Sequence, residues 1–349
     1  MSNAELSSRL HDYFREREAQ NHFSGVVLIT QADDRLFAGA YGYASRAWNI
    51  RNTLDMRFDT ASITKVFTAV ATLQVIEQGL LSFETSAVDY LELQDTAISS
   101  AVNVYHLLTH SSGIGDDADE EAGEDYEDLW KTKPNYSVTT TADFLPQFVH
   151  KPPNFAPGEG CRYCNVGYVL LGLMIEKASG MCFRDYVRQH IFQRVVMGHS
   201  DFFRMDRVHE NVAEGCDPIY DDDGALTGWK KNIYSYPPVG SPDAGAHVTA
   251  GDLDTFLRAV VSGKLLSPAL TADFLTPKVL HHENEEVTVR YGYGLEFFEL
   301  RADSQMNFYQ KEGINAGVSA VMRHYPAGDV NVILLSNMME GARLGQPLF

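Results

Sequence analysis

The hydrophobic period of this chain changes twice along its length, and that change restricts the fold more than any single motif. Residues 24–30 (SGVVLIT) are a short β-branched apolar run, Asp33-Asp34 is turn-prone, and residues 36–44 (LFAGAYGYA) extend again, which reads as a β-hairpin. From 65 to 78 the apolar residues Val66, Ala69, Val70, Leu73 and Ile76 recur at three and four, with Gly79 placed to stop a helix. Helices are also expected at 102–110, at 166–178 before Gly180, at 183–195 and at 251–262, with a Pro/Gly turn at 152–160. The period then returns to two, and 291–300, 307–311, 317–325 and 330–336 read as successive strands. The expected fold is one split α/β (α+β) unit. Its sheet is completed from both chain ends, residues 5–65 and 245–349, with a mainly helical domain, 66–244, inserted between them.

Composition narrows the function. The 349 residues are 44% apolar, enough for a sizeable core. Asp and Glu number 47 against 28 Lys and Arg, a net charge of 28 − 47 = −19. A surface that negative repels phosphate backbones and anionic lipid, so no nucleic-acid role is expected. No apolar run approaches the ~18 residues of a membrane span. Residues 1–20 read as an amphipathic helix with Leu6, Leu10, Tyr13 and Phe14 on one stripe, lacking the basic and apolar regions of a signal peptide. The chain as given is therefore expected to be cytoplasmic. Ser2-Asn3-Ala4 matches the scar of a cleaved tag, which leaves export open. Cys161 and Cys164 form a C-x-x-C pair, and Cys182 and Cys216 stand alone. With no second ligand pair, all four read as structural or incidental.

Ser62-Ile63-Thr64-Lys65 is the most informative tetrapeptide. Asp59-Thr60-Ala61 can cap the helix that begins there, and residues three apart share a helical face, about 5–6 Å between Cβ atoms. Lys65 can thus reach the Ser62 hydroxyl. Serine is a poor nucleophile until a neighbour accepts its proton, which a lysine of lowered pKa can do. Tyr163-Cys164-Asn165 follows the Pro157-Gly158 turn and precedes a helix. A tyrosine held between cations can have its phenol pKa lowered enough to act as a base, and the amide can orient a substrate carbonyl. Lys311-Glu312-Gly313 lies on an expected strand and offers a cation, then a glycine that permits close backbone approach.

The order S-x-x-K, Y-x-N, K-x-G resembles the active-site signature of the serine β-lactamases and penicillin-binding proteins. The tyrosine version is similar to the class C β-lactamase branch and its esterase, D-aminopeptidase and carboxypeptidase relatives. Residues 106–113 (HLLTHSSG) and 291–295 (YGYGL) fit that branch too. The resemblance covers about residues 23–337. It implies a β-lactamase/transpeptidase-like fold with an antiparallel sheet flanked by helices. It also implies roles: Ser62 as the acylated nucleophile, Lys65 and Tyr163 sharing the proton work, Asn165 orienting substrate. Lys311 would lower the tyrosine pKa, Gly313 would matter for backbone geometry, and the backbone N–H groups of Ser62 and Ile314 would form the oxyanion hole. No cofactor or metal is implied, and the expected partner is a small ester, amide or peptide substrate.

Two departures qualify the resemblance. Glu312 stands where the lactamases place Thr or Ser, so an anion borders the site and should repel carboxylate substrates by about 1 kcal/mol if solvated. Poor hydrolysis of penicillins is therefore expected, with neutral or cationic esters and amides favoured. The C-terminal helix that relatives pack on the sheet looks short or missing before Phe349. Other clusters read as structural. His106 and His110 have a metal-compatible spacing but no third ligand, His281-His282-Glu283 reads as an exposed loop, and the stretch 116–128 reads as a solvated acidic loop. Asp221-Asp222-Asp223-Gly224 lacks the alternation of a calcium loop, and Cys164 lacks a histidine partner evident in sequence. The expected function is a serine hydrolase working through an acyl-enzyme on Ser62. The alternatives are a sensor that is acylated but hardly turns over, and a silent scaffold.

Overall fold

The structure, a computed structural model, describes residues 3–302 and 305–343. Helix α1 (Asn3–Ala19) opens the chain and buries Leu10 and Phe14, with Leu6 and Tyr13 packed beside them. Strands β1 (Gly25–Gln31) and β2 (Asp34–Tyr41) form the expected hairpin, followed by a small ribbon of β3 (Tyr43–Ser45) and β4 (Ile50–Arg51). After β5 (Phe58–Asp59), one tight helical turn at Ala61–Ile63 leads into α2 (Thr64–Glu77). Every residue of α2 from Thr64 to Val75 is buried, which is why its apolar positions are not confined to one stripe. Helices α3 (Ala87–Leu91) and α4 (Val104–Leu108) lie near α5 (Asn165–Ser179), which packs on α2 as a second buried rod.

Helix α6 (Phe183–Val187) continues as a wider coil only to Phe192, short of the expected 195. Strands β6 (Cys216–Tyr220) and β7 (Leu226–Lys231) form a largely exposed hairpin that the hydrophobic pattern does not signal. Its turn is the acidic triplet, where Asp221 accepts the N–H groups of Asp223 and Ala225, the solvated turn expected of it. Next come β8 (His247–Val248), which pairs with β5, then α7 (Ala250–Val261) and α8 (Pro268–Phe274). The chain then runs through β9 (Val279–Glu283), β10 (Val287–Tyr291), β11 (Glu296–Leu300), β12 (Gln305–Asn315), β13 (Val318–Tyr325) and β14 (Val330–Ser336).

These strands complete an eight-stranded antiparallel sheet of order β2-β1-β14-β13-β12-β11-β10-β9. The two chain ends meet where β1 pairs with β14, Gly25 opposite Ser336. Both faces of the centre are covered. Val332 and Leu334 face the layer that contains α1, while Ile333 and Leu335 join the larger core around α2 and α5. That double burial accounts for the apolar run Val332–Leu335 within β14. No single described helix is long and apolar enough to cross a membrane.

Three expectations need correction. Residues 291–300 are not one strand: Gly294 at φ +76° and a bond from the Gly292 N–H to the Leu295 carbonyl (2.8 Å) reverse the chain between β10 and β11. His281-His282-Glu283 is not a loop but part of edge strand β9, with the His281 ring against Tyr291 at 4.7 Å. The 116–128 stretch is not uniformly solvated, because Asp116 and Asp117 are buried. The expected strand at 307–311 extends over all of β12. The reading of a short C-terminal helix falls on residues 344–349, outside the described residues.

Candidate active site

The nucleophile candidate stands on a constrained turn. The Asp59 carboxylate accepts the Ala61 N–H at 2.7 Å, and Thr60 donates both its N–H and its hydroxyl to the Ala246 carbonyl. Ala61 then takes φ +42°, a left-handed conformation that costs a non-glycine residue of the order of 1 kcal/mol or more. Ser62 follows it, half-buried, in the turn before α2.

Lys65, fully buried on α2, donates to Ser62 Oγ (3.1 Å), Asn165 Oδ1 (2.8 Å) and the Asp243 carbonyl (2.9 Å). Burial pulls its pKa down to about 8, against the opposing pull of Asp243 and with help from Lys311. The Tyr163 hydroxyl donates to the same Ser62 Oγ at 2.7 Å. Its ring lies between two cations, 4.9 Å from Lys65 Nζ and 4.6 Å from Lys311 Nζ. Contrary to the expectation that the flanking cations lower it, the phenol pKa is raised. Burial comes first and Glu120 second, and together they hold the phenol well above its ordinary value. Tyr163 is therefore neutral at pH 7.

Lys311, on β12, is buried and paired with Glu296 of β11 at 2.7 Å. Gly313, two residues on, lies so close to the nucleophile turn that an added Cβ would overlap the Thr60 carbonyl oxygen and sit 3.0 Å from Ser62 N. The strand therefore runs directly beside the Ser62 backbone, and Ile314 lines the same cleft as Ser62. Glu312 is at the cleft wall, but it accepts from Gln310 at 3.1 Å and faces Arg323 at 3.9 Å, so part of its charge is compensated. Burial, then Glu296, raises its pKa. The cleft encloses about 430 Å³ and is bordered by Glu120, Glu124, Asp125, Glu127, Glu296 and Glu312.

Of the eight site residues expected from sequence, Ser62, Tyr163, Lys311, Glu312 and Ile314 line one cleft, Lys65 and Asn165 are buried behind Ser62 and bonded to one another, and Gly313 packs on the nucleophile turn. Cys164 turns away: it is buried, its N–H donates to His110 Nδ1 (3.1 Å), and burial raises its thiol pKa well above the usual range. Cys161, Cys182 and Cys216 are also free thiols. His106 and His110 do not converge on a common point. His106 accepts the Asn103 N–H at the start of α4, and His110 serves Cys164. Among the described residues no group of three or more His, Cys, Asp or Glu side chains is arranged to hold a metal ion. Sequence reasoning missed Glu296, Glu120, His110 and Asp116. The signal for Glu296 was available: with the 292–295 turn placed, Glu296 falls opposite Gln310, next to Lys311.

A family model described as Beta-lactamase matches residues 10–347. A penicillin binding protein from Bacillus halodurans has a crystal structure that superposes with TM-score 0.86 at 37% identity, covering 94% of this chain and 96% of that one. Penicillin-binding protein 4* of Bacillus subtilis (strain 168) is 24% identical over 97% of this chain and 73% of its own length. Esterase EstB of Burkholderia gladioli is 29% identical over 51% of this chain and 46% of its own.

Proposed function

Because the chain belongs to the Beta-lactamase family of serine hydrolases, we propose that it forms an acyl-enzyme on Ser62 and hydrolyses small esters or amides. Its closest functional type would be an esterase or D-amino-acid peptidase, with weak β-lactamase activity at most. The observation that carries this reading is the convergence of Lys65 Nζ (3.1 Å) and Tyr163 Oη (2.7 Å) on one serine oxygen.

In this mechanism neutral Lys65 takes the Ser62 proton as Oγ attacks the substrate carbonyl carbon. With a pKa of about 8, roughly one Lys65 in ten is neutral at pH 7. The developing oxyanion is held by the backbone N–H groups of Ser62 and Ile314, a stabilisation worth about 3–4 kcal/mol per donor. Tyr163, neutral at the start, gives its proton to the leaving oxygen or nitrogen and regains one from Lys65. Asn165 orients the substrate carbonyl, and Lys311, held by Glu296, faces the outer part of the substrate. Water then attacks the ester with the same groups working in reverse.

The acidic wall supports a finer statement about substrate. Six carboxylate residues border the cleft, and the two cations that line it are already paired, Lys311 with Glu296 and Arg343 with Glu340. An ester or amide carrying a free amine is attracted there, and an acyl donor carrying a carboxylate is repelled. Intact-mass spectrometry after exposure to neutral esters, amino-acid esters, D-Ala peptides and β-lactams, with Ser62→Ala as control, tests the proposal. An adduct lost in Ser62→Ala is expected, largest with amine-bearing donors. No Ser62-dependent adduct with any donor would sink it. With a chromogenic ester, a burst followed by steady turnover marks the hydrolase, whereas a burst alone marks an acylated sensor.

A further inference from the structure

Helix α5 begins without a side-chain cap from its own N-terminal neighbour Cys164, yet the backbone leading into it is fully bonded. Five consecutive N–H groups are held by residues 110–121. Arg162 donates to the His110 carbonyl (2.9 Å), Tyr163 to Glu121 Oε1 (2.8 Å) and Cys164 to His110 Nδ1 (3.1 Å). Asn165 and Val166 donate to the two oxygens of Asp116, at 2.7 and 3.0 Å. The Arg162 guanidinium closes the arrangement on Asp119, with Nη2 at 2.7 Å and Nε at 2.9 Å.

A helix start needs partners for the N–H groups of its N-cap and first turn, and here His110 serves Cys164 while Asp116 serves Asn165 and Val166. The bonds from Arg162 and Tyr163, which precede the N-cap, lie outside that need and fix the course of the chain before the helix. His110 has a left-handed backbone (φ +57°), sparsely populated for a non-glycine residue, and presents both its carbonyl and its ring to the same segment. The ring also lies 4.7 Å from that of Tyr163. What is held in register is the tripeptide whose two outer side chains meet Ser62 and Lys65.

We infer that His110, Asp116 and Glu121 are positioning residues, a template that sets Tyr163 Oη against Ser62 and Asn165 Oδ1 against Lys65. The inference rests on the reading of Tyr163 and Asn165 as working groups in the reaction. It gives the segment 110–121 a task in catalysis through geometry, although none of the three touches the Ser62 hydroxyl. His110 accepts only while Nδ1 carries no proton, and burial, followed by Lys311 and Lys65, keeps its ring neutral.

The test is the acylation burst and steady-state kinetics of the full chain with a chromogenic amino-acid ester. Asp116→Asn keeps the size of the side chain but sets an NH₂ against backbone N–H donors. His110→Leu removes the acceptor, and His110→Asn replaces Nδ1 with an amide oxygen at nearly the same place. Asp116→Asn and His110→Leu are expected to slow acylation on the order of 100-fold, since a misplacement near 1 Å has that effect. KM should change less than about threefold, and His110→Asn should recover most of the rate. Asp116→Asn at near wild-type rate, or His110→Asn as slow as His110→Leu, overturns the inference. Should Asp116→Asn fail to fold by circular dichroism, the two His110 variants decide. Tyr163→Phe run in parallel separates the levels. If it keeps full rate, the reading of the reaction fails and this inference with it. If Tyr163→Phe is inactive while Asp116→Asn is fully active, this inference fails alone.

Discussion

Lys65 uses all three of its N–H bonds, on a hydroxyl, an amide oxygen and a backbone carbonyl, in a place where burial disfavours its charge. The bonds fix the amine while the low dielectric readies it to lose a proton. The working base is the neutral amine, so below its pKa of about 8 the active fraction falls about tenfold for each pH unit. A profile of kcat/KM against pH should therefore rise to a plateau above about 8. A flat profile between pH 6 and 8 would exclude Lys65 as the base. Lys65→Arg, which stays charged, should lose about 10²–10⁴ in kcat/KM. Glu312 supplies a second test at this scale. Because Arg323 and Gln310 share its charge, Glu312→Thr should raise hydrolysis of an anionic β-lactam only a few-fold and lower that of a cationic ester by a similar factor. If the ratio of the two rates does not move, the side chain does not act on substrate.

Strand β12 is the element on which the cleft depends, because its backbone passes the nucleophile turn with no room for a Cβ at Gly313. Gly313→Ala must push the strand off Thr60 or deform the turn, and Ala61 already holds a strained φ there. Destabilisation of about 1–3 kcal/mol is expected in denaturant unfolding, with at least about a hundredfold loss of kcat. Wild-type kcat in that variant would mean that the oxyanion hole lies elsewhere. The need for a glycine at 313 was legible in the sequence, as were the hairpin, the helix at the nucleophile and the meeting of the chain ends, because each leaves a strong local period or a fixed spacing. What was illegible depends on partners far away in the chain. The exposed β6–β7 hairpin has no core face to impose alternation on it. Asp116 reads as a loop acid because only the fold brings Asn165 and Val166 to it, across 49 and 50 residues. The phenol of Tyr163 was misjudged for the same reason. The two flanking cations could be inferred from motifs, whereas its burial and the nearness of Glu120 could not.

At the scale of the whole molecule the charge of −19 and the acidic border of the cleft act together. A net negative protein whose cleft carries six carboxylates against the two cations Lys311 and Arg343 focuses its field into that cleft and raises the local concentration of cations. The sheet contributes by placing Glu296 and Glu312 on adjacent strands at the cleft, while Glu120, Glu124, Asp125 and Glu127 come from the segment between α4 and α5. Salt screens this attraction, with a Debye length of about 10 Å at 0.1 M. The matched probes are chromogenic esters of one alcohol whose acyl groups carry an ammonium, no charge or a carboxylate. Between about 20 and 300 mM salt, kcat/KM for the ammonium ester should fall several-fold and that for the carboxylate ester should rise. The neutral ester should hold within about a factor of two. Because the three share a leaving group, a change in the chemical step moves all three together, and only the field of the cleft separates them. Parallel salt responses would mean that the carboxylates are matched by cations where the substrate docks, and that the preference for amines has another source.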